Sequence, residues 1–175
     1  METFWAKGYR HTSIRTLEKE MGINQFSIYA SFKSKRDLFR LALQCYAAQI
    51  ETQFLKRLLR QDSTVEDIRA FLLQFSQAII HQTIPDGCFM VKTASECAQD
   101  KQIMETVSKF FSRIKDLFGR ALSNSRQKGL VNPALSVEDG AEYLVGISQS
   151  LSVYARMKTQ KEVNAYINFS LSALT

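Results

Sequence analysis

The chain has 175 residues, enough for one sizeable core or for a small head and a larger body. Only 2 Pro and 7 Gly stand among 45% hydrophobic residues, which favours long helices with few turns, and no apolar run approaches the ~20 residues of a membrane span. The net charge of +6 is uneven: residues 1–46 hold 8 Lys/Arg against 4 Asp/Glu, residues 47–175 hold 15 against 13, so the basic excess sits in a head that suits nucleic acid.

The cysteines, Cys45, Cys88 and Cys97, contain no CxxC pair and indicate neither a disulfide framework nor a zinc site. All three lie in apolar stretches and read as buried free thiols. The N-terminus lacks the long apolar core of a signal peptide, so a soluble, cytoplasmic protein is expected.

In chain order, residues 2–7 read as the end of a helix, with Gly8 placed to close it in a left-handed conformation. Thr12 and Ser13 are N-cap candidates for a helix to about Met21. In it Ile14, Leu17 and Met21 share one apolar face, opposite Arg15, Glu18 and Lys19. Gly22 makes a turn and Ile23 is expected to be buried. Asn24 caps a short helix from Gln25 to about Ala30, with Ile28 and Phe32 inward and Gln25, Phe26, Ser27 and Tyr29 outward. Ser34 caps the next helix, which runs to about Arg60, with or without a break. Lys35 in its first turn opposes the helix dipole, which favours an external anion as its partner.

A turn at Asp62-Ser63-Thr64 precedes a helix over 65–82 that is apolar on most sides and therefore central. Ile84-Pro85-Asp86-Gly87 breaks it, and a short helix spans Cys88 to about Ala98. Residues 101–128 form a long amphipathic helix closed by Gly129. After the Asn132-Pro133 break come helices over about 137–157, rich in small residues, and 161–174. There is no strand pattern, repeat or low-complexity segment. The fold class is all-α: a helix-turn-helix head over residues 1–46 and a helical body over residues 47–175.

A recognition helix needs exposed polar side chains near its N-terminus to reach base edges, with phosphate contacts on either side. Gln25 and Ser27 supply hydrogen-bonding groups, and Gln suits adenine. Phe26 either meets a thymine methyl or packs on the neighbouring helix. Thr12, Ser13, Tyr29 and Lys35 all lie within reach of phosphates. Each also has a plain structural role open to it, and the joint spacing around one turn is the signal.

Gly8-Tyr9, Thr12-Ser13-Ile14, Leu17, Gly22-Ile23, Ser27-Ile28-Tyr29, Phe32, Ser34-Lys35 and Leu38 resemble the N-terminal motif of the tetracycline-repressor (TetR) family over about residues 4–46. Gly87-Cys88 resembles a turn found in one branch of that family. The resemblance implies a homodimer with a DNA-binding head and a C-terminal ligand-binding and dimerisation body. It places Gln25, Phe26 and Ser27 toward bases and Thr12 or Ser13, Tyr29 and Lys35 on phosphates. It implies a four-helix dimer interface from the last two long helices, with Leu144, Ser148, Leu151, Ala155, Val163, Tyr166, Ile167 and Leu171 as candidates. Two departures stand out. Phe26 occupies a position where many members have a small residue, and the first helix is shorter than is usual.

An effector site in the body would draw on Phe71, Phe75, Phe89, Met90, Met104, Phe110, Phe111, Ile114 and Tyr143, although for any one of them core packing is the stronger reading. Glu96, His81 and Gln149 are the polar residues that could orient a ligand, although for each a satisfied or solvated side chain is the stronger reading. The expected partners are double-stranded operator DNA, a small apolar or amphipathic effector and a second copy of the chain, with no cofactor, metal or membrane. The leading function is a ligand-responsive regulator, with repression as the family expectation. The competing one is a helical small-molecule-binding protein or enzyme whose head only docks. Against an enzyme, there is no Gly-rich phosphate loop, HExxH or nucleophile elbow.

Overall fold

The computed structural model describes residues 1–84 and 86–175. The part of the expected Ile84-Pro85-Asp86-Gly87 break that falls on Pro85 lies outside the described residues. Among these the elements are helical: α1 (Glu2–Lys7), α2 (Ile14–Met21), α3 (Gln25–Phe32), α4 (Lys35–Gln53), α5 (Val65–Ile80), α6 (Phe89–Glu96), α7 (Lys101–Gln127), α8 (Val137–Tyr154) and α9 (Gln160–Ser172). None is long and apolar enough to cross a membrane.

The chain divides into two compact units. The first comprises residues 1–49 and 89–110, the second residues 50–88 and 111–175. The first unit reaches beyond the head of residues 1–46 expected from sequence, because α6 and the start of α7 pack with it. Aromatic rings explain why. Phe4 lies edge-on to Phe39 at 5.0 Å and Trp5 edge-on to Tyr46 at 5.0 Å. Phe89 of α6 then meets Phe39 at 5.6 Å and Tyr46 at 5.8 Å, and Phe110 lies 6.1 Å from Tyr46. Each such pair adds about 0.5–1.5 kcal/mol beyond the burial of its area. A two-turn α1 gains its stability from this cluster rather than from its own hydrogen bonds.

In the second unit α5 is central, as its apolar pattern predicts, and packs on α8 and α9. Its N-terminus is fixed twice. Asp67 Oδ2 accepts the Thr64 amide at 2.9 Å, and Ser125 Oγ on α7 accepts the Val65 amide at 2.7 Å. The Asp67 carboxylate also takes Arg57 Nε at 3.0 Å and Arg60 at 3.5 Å. Burial alone would raise its pKa, but the Thr64 amide and the two guanidinium groups outweigh it and hold the carboxyl below its ordinary value.

Helix α4 ends at Gln53, not near Arg60. Beyond it Phe54, Leu55 and Leu58 still enter the core, but as turns. Side chains from other helices satisfy the carbonyls freed there: Gln74 Nε2 donates to Gln53 O at 3.2 Å and Arg120 Nη2 to Leu58 O at 2.6 Å. Gly87 sits so close to α8 that a Cβ would lie 2.5 Å from the Ser152 carbonyl oxygen, while Ser152 Oγ accepts the Cys88 amide at 2.7 Å. That contact accounts physically for the Gly87-Cys88 pair.

Cys88 and Cys97 are buried, but Cys45 is exposed on α4, contrary to the sequence reading. Burial and the neighbouring Glu96 push the Cys97 thiol up to about 11, which leaves it protonated and unreactive at neutral pH.

Candidate nucleic-acid interface

The helix-turn-helix is set by side chains that cap backbone. Ser13 Oγ accepts the Thr16 amide at 3.0 Å and starts α2. Gly22, at φ 67° and ψ 20°, closes α2 in the left-handed conformation the tight turn requires, and its amide donates to Glu18 O. Asn24 Oδ1 accepts the Ser27 amide at 2.9 Å and starts α3. Glu18 Oε1 accepts the Gln25 amide at 2.6 Å, linking α2 to the first turn of α3. Sequence reasoning placed Glu18 on the solvent face and missed this role. A carboxylate one turn before a Gly turn that precedes an N-cap was the available signal.

Leu17 and Ile28 are buried and hold α2 on α3. Phe32 is partly buried at the end of α3, whereas Met21 and Ile23 are exposed, 39% and 38%, so the expectation that Ile23 is buried does not hold. The turn is too short to fold Ile23 back onto Leu17. Gln25, Phe26, Ser27 and Tyr29 all face outward. Phe26 is 79% exposed, which removes the alternative that it packs on a neighbouring helix.

The expected phosphate contacts divide. Ser13 and Tyr29 are exposed. Thr12 is not: it is fully buried, and its hydroxyl donates to Gly8 O at 2.6 Å, so its side chain braces the loop after α1 and is turned away from any phosphate. Lys35 is half-buried, with Nζ 4.4 Å from the centroid of the Tyr9 ring. Burial lowers its pKa, partly offset by Glu96. Ser34 Oγ accepts the Asp37 amide at 3.1 Å and starts α4. Arg15, Lys19 and Lys33 are exposed around the motif, and none forms an ion pair among the described residues.

Helix α6 fixes the approach to the motif. Lys92 Nζ donates to Trp5 O and Ala6 O, both at 2.7 Å, and Glu96 accepts the amides of Tyr9 at 2.9 Å and Arg10 at 2.6 Å. Arg36 of α4 faces Asp100 at 3.6 Å. Gly8 is not left-handed as expected but lies at φ 80° and ψ 172°, and a Cβ there would stand 2.6 Å from a Glu96 carboxylate oxygen. Glu96 therefore orders the head backbone instead of orienting a ligand. Of the other two polar candidates, His81 ends α5 in solvent and Gln149 is half-buried on α8.

The proposed pocket residues do not share one unit. Phe89, Met90, Met104 and Phe110 belong to the first, and Phe89 is a member of its aromatic core. Phe71, Phe75, Phe111, Ile114 and Tyr143 belong to the second, where the Phe71 and Phe75 rings stack at 5.9 Å and Ile114 is buried. Tyr143 is 40% exposed and lines no interior.

The proposed interface residues of α8 and α9 need the opposite correction. Leu144, Ser148, Leu151, Ala155, Val163, Ile167 and Leu171 are all buried within the single chain, and Tyr166 is half-buried with its hydroxyl 2.8 Å from Ser150 Oγ. They form this unit's own core. A second stripe on α8, Tyr143, Gly146, Ser150 and Val153, repeats the 3-4 spacing on the exposed side, as do Ala165, Phe169 and Ser172 on α9. Phe169 is 80% exposed, Val153 52%, and a Cβ on Gly146 would meet nothing within 4 Å.

A capped helix-turn-helix with an exposed edge, carried with an all-helical body, defines a helical DNA-binding protein. Residues 1–42 match the family described as "Bacterial regulatory proteins, tetR family", and residues 64–168 match "Tetracyclin repressor-like, C-terminal domain". The chain belongs to the tetR family of bacterial regulatory proteins and is a DNA-binding transcriptional regulator. It is similar to the HTH-type transcriptional repressor ComR of Escherichia coli K12, 27% identical over 158 residues that cover 89% of this chain and 75% of that one. It is also similar to the HTH-type transcriptional regulator YezE of Bacillus subtilis 168, 25% identical over 177 residues that cover 99% and 91%. Among solved structures, a cysteine mutant of the TetR family regulator CifR complexed with 26-base-pair operator DNA superposes with a TM-score of 0.85, at 24% identity over 98% of this chain and 91% of that one. A TetR regulator from Chloroflexus aurantiacus gives 0.80 at 20% identity over 98% and 89%.

Proposed function

We propose that this regulator binds operator DNA as a homodimer, represses, and is released by a small apolar or amphipathic effector. Gln25, Phe26 and Ser27 face bases, and Ser13, Tyr29 and Lys35 take phosphates. The observation that carries the reading is the state of α3: Ile28 is wholly buried while Gln25, Phe26, Ser27 and Tyr29 beside it lie open to solvent. A helix anchored by Ile28, with Phe32 partly buried at its end and the residues before Ile28 open, is suited to insertion in a major groove. Repression draws support from the name of the E. coli relative, and operator binding from the CifR complex.

The second copy is assigned to the exposed stripes of α8 and α9. A dimer of this kind sets two heads about 34–36 Å apart, one turn of DNA. An effector that binds better to a state with another head spacing shifts the population off DNA. For the effector, Phe71, Phe75 and Ile114 of the second unit remain the candidates.

The test is a titration of the protein against the DNA upstream of its own gene at several salt concentrations. Specific, salt-dependent binding that Lys35→Ala weakens across all sequences, with the salt slope reduced by about 1, supports the reading. Absence of a specific complex even at low salt favours the competing function, in which the head only docks.

A further inference from the structure

Helix α3 reads Gln-Phe-Ser-Ile-Tyr-Ala-Ser-Phe and carries no charged side chain. Two of its N-terminal amides are already engaged, Gln25 by Glu18 and Ser27 by Asn24. The end of this helix is therefore poorly placed to hold a phosphate through its backbone, and what it presents outward is side chain. Among these Phe26 is 79% exposed, against 45% for Tyr29, and it lies one residue into the helix, where side chains reach base edges.

A phenyl ring has no hydrogen-bonding group, so it discriminates only between apolar features. In the major groove the apolar feature on a base edge is the C5-methyl of thymine. The neighbouring Gln25 offers the paired donor and acceptor that match adenine N6 and N7. We infer that Phe26 is a specificity-determining residue that reads a thymine C5-methyl group, and that with Gln25 it selects adjoining A·T pairs in each half-site. The inference rests on the proposed insertion of α3 into the major groove. It predicts recognition of a methyl group rather than of a base as such, so 5-methylcytosine is a partial substitute for thymine.

The experiment uses the full-length protein. A duplex is first selected from a random pool by the wild-type chain, and each thymine in it is then replaced in turn by deoxyuridine, which removes only the methyl. The expected result is one position per half-site where uracil weakens binding about 3- to 10-fold, the scale of one buried methyl group. Phe26→Ala binds the thymine duplex correspondingly more weakly and no longer distinguishes thymine from uracil there. At the same position 5-methylcytosine restores part of the affinity that cytosine loses. Because Phe26 is exposed, the variant keeps the wild-type thermal midpoint, which is measured alongside. Indifference to uracil at every position overturns the inference while leaving the DNA-binding reading in place. So does a thymine–uracil difference that survives in Phe26→Ala. Failure to enrich any sequence overturns both.

Discussion

The Glu18 carboxylate accepts the backbone amide of Gln25 at 2.6 Å, seven residues along and across the turn. It ties α2 to the first turn of α3, the turn that carries Phe26. Glu18→Ala removes an acceptor from an exposed amide that water replaces, so the loss in unfolding free energy is modest, about 1 kcal/mol. DNA binding is expected to suffer more than stability. Urea denaturation and DNA titration of the same variant check this, and equal losses in both would show that Glu18 acts only on stability.

Gly8 lies at φ 80° against the Glu96 carboxylate. Gly8→Ala is expected to destabilise the protein by about 1–3 kcal/mol through backbone strain, with the clash adding to it. Combining it with Glu96→Ala removes the obstruction but not the strain, so the double variant is more stable than the sum of the single losses predicts. Urea unfolding of all three variants reads this coupling directly.

Glu162 starts α9 in a capping box. Its carboxylate accepts the Thr159 amide at 2.9 Å and hydroxyl at 2.8 Å and faces Lys158 Nζ at 2.9 Å. The Thr159 amide, then Lys158 and the hydroxyl, bring its pKa from 4.5 to about 2. A folded-state pKa below the unfolded one gives stability that is full above 4.5 and is lost as pH falls toward 2. The thermal midpoint of Glu162→Gln should lie below wild type at pH 7 and converge with it across that window. A constant gap down to pH 2 would contradict the assignment.

Phe169 and Val153 stand on the exposed stripes, Leu144 and Val163 on the buried ones. Phe169→Arg or Val153→Asp is expected to yield a folded monomer by sedimentation. Leu144→Ala or Val163→Ala should instead cost about 2–5 kcal/mol, or somewhat less for the smaller valine, by opening a cavity within the chain. Sedimentation of the charged variants together with unfolding of the truncated ones separates the two faces.

The helix-turn-helix was legible because its information is local: a cap, a glycine, another cap and a buried residue at fixed intervals. The bundle was legible as helices but not as faces. On α8 and its C-cap the row Leu144, Ser148, Leu151, Ala155 and the row Tyr143, Gly146, Ser150, Val153 have nearly the same period. Periodicity alone favours the more apolar row as the partner face, whereas that row is the one α5 and α9 need. The reach of Glu96 to Tyr9 spans 87 residues and leaves no trace in any window of sequence. Nor does the end of α4, where Gln74 and Arg120 supply partners for backbone that would otherwise have stayed helical.

Lys92 and Glu96 lie one helical turn apart on α6, and both engage main-chain atoms of residues 5–10: the cation takes two carbonyls, the anion two amides. A grip on peptide groups is indifferent to the side chains those groups carry. The side chains of residues 6 and 10 are thereby free to change without loosening the entry to the motif, while Lys92 and Glu96 can change only together with the path of the backbone they hold.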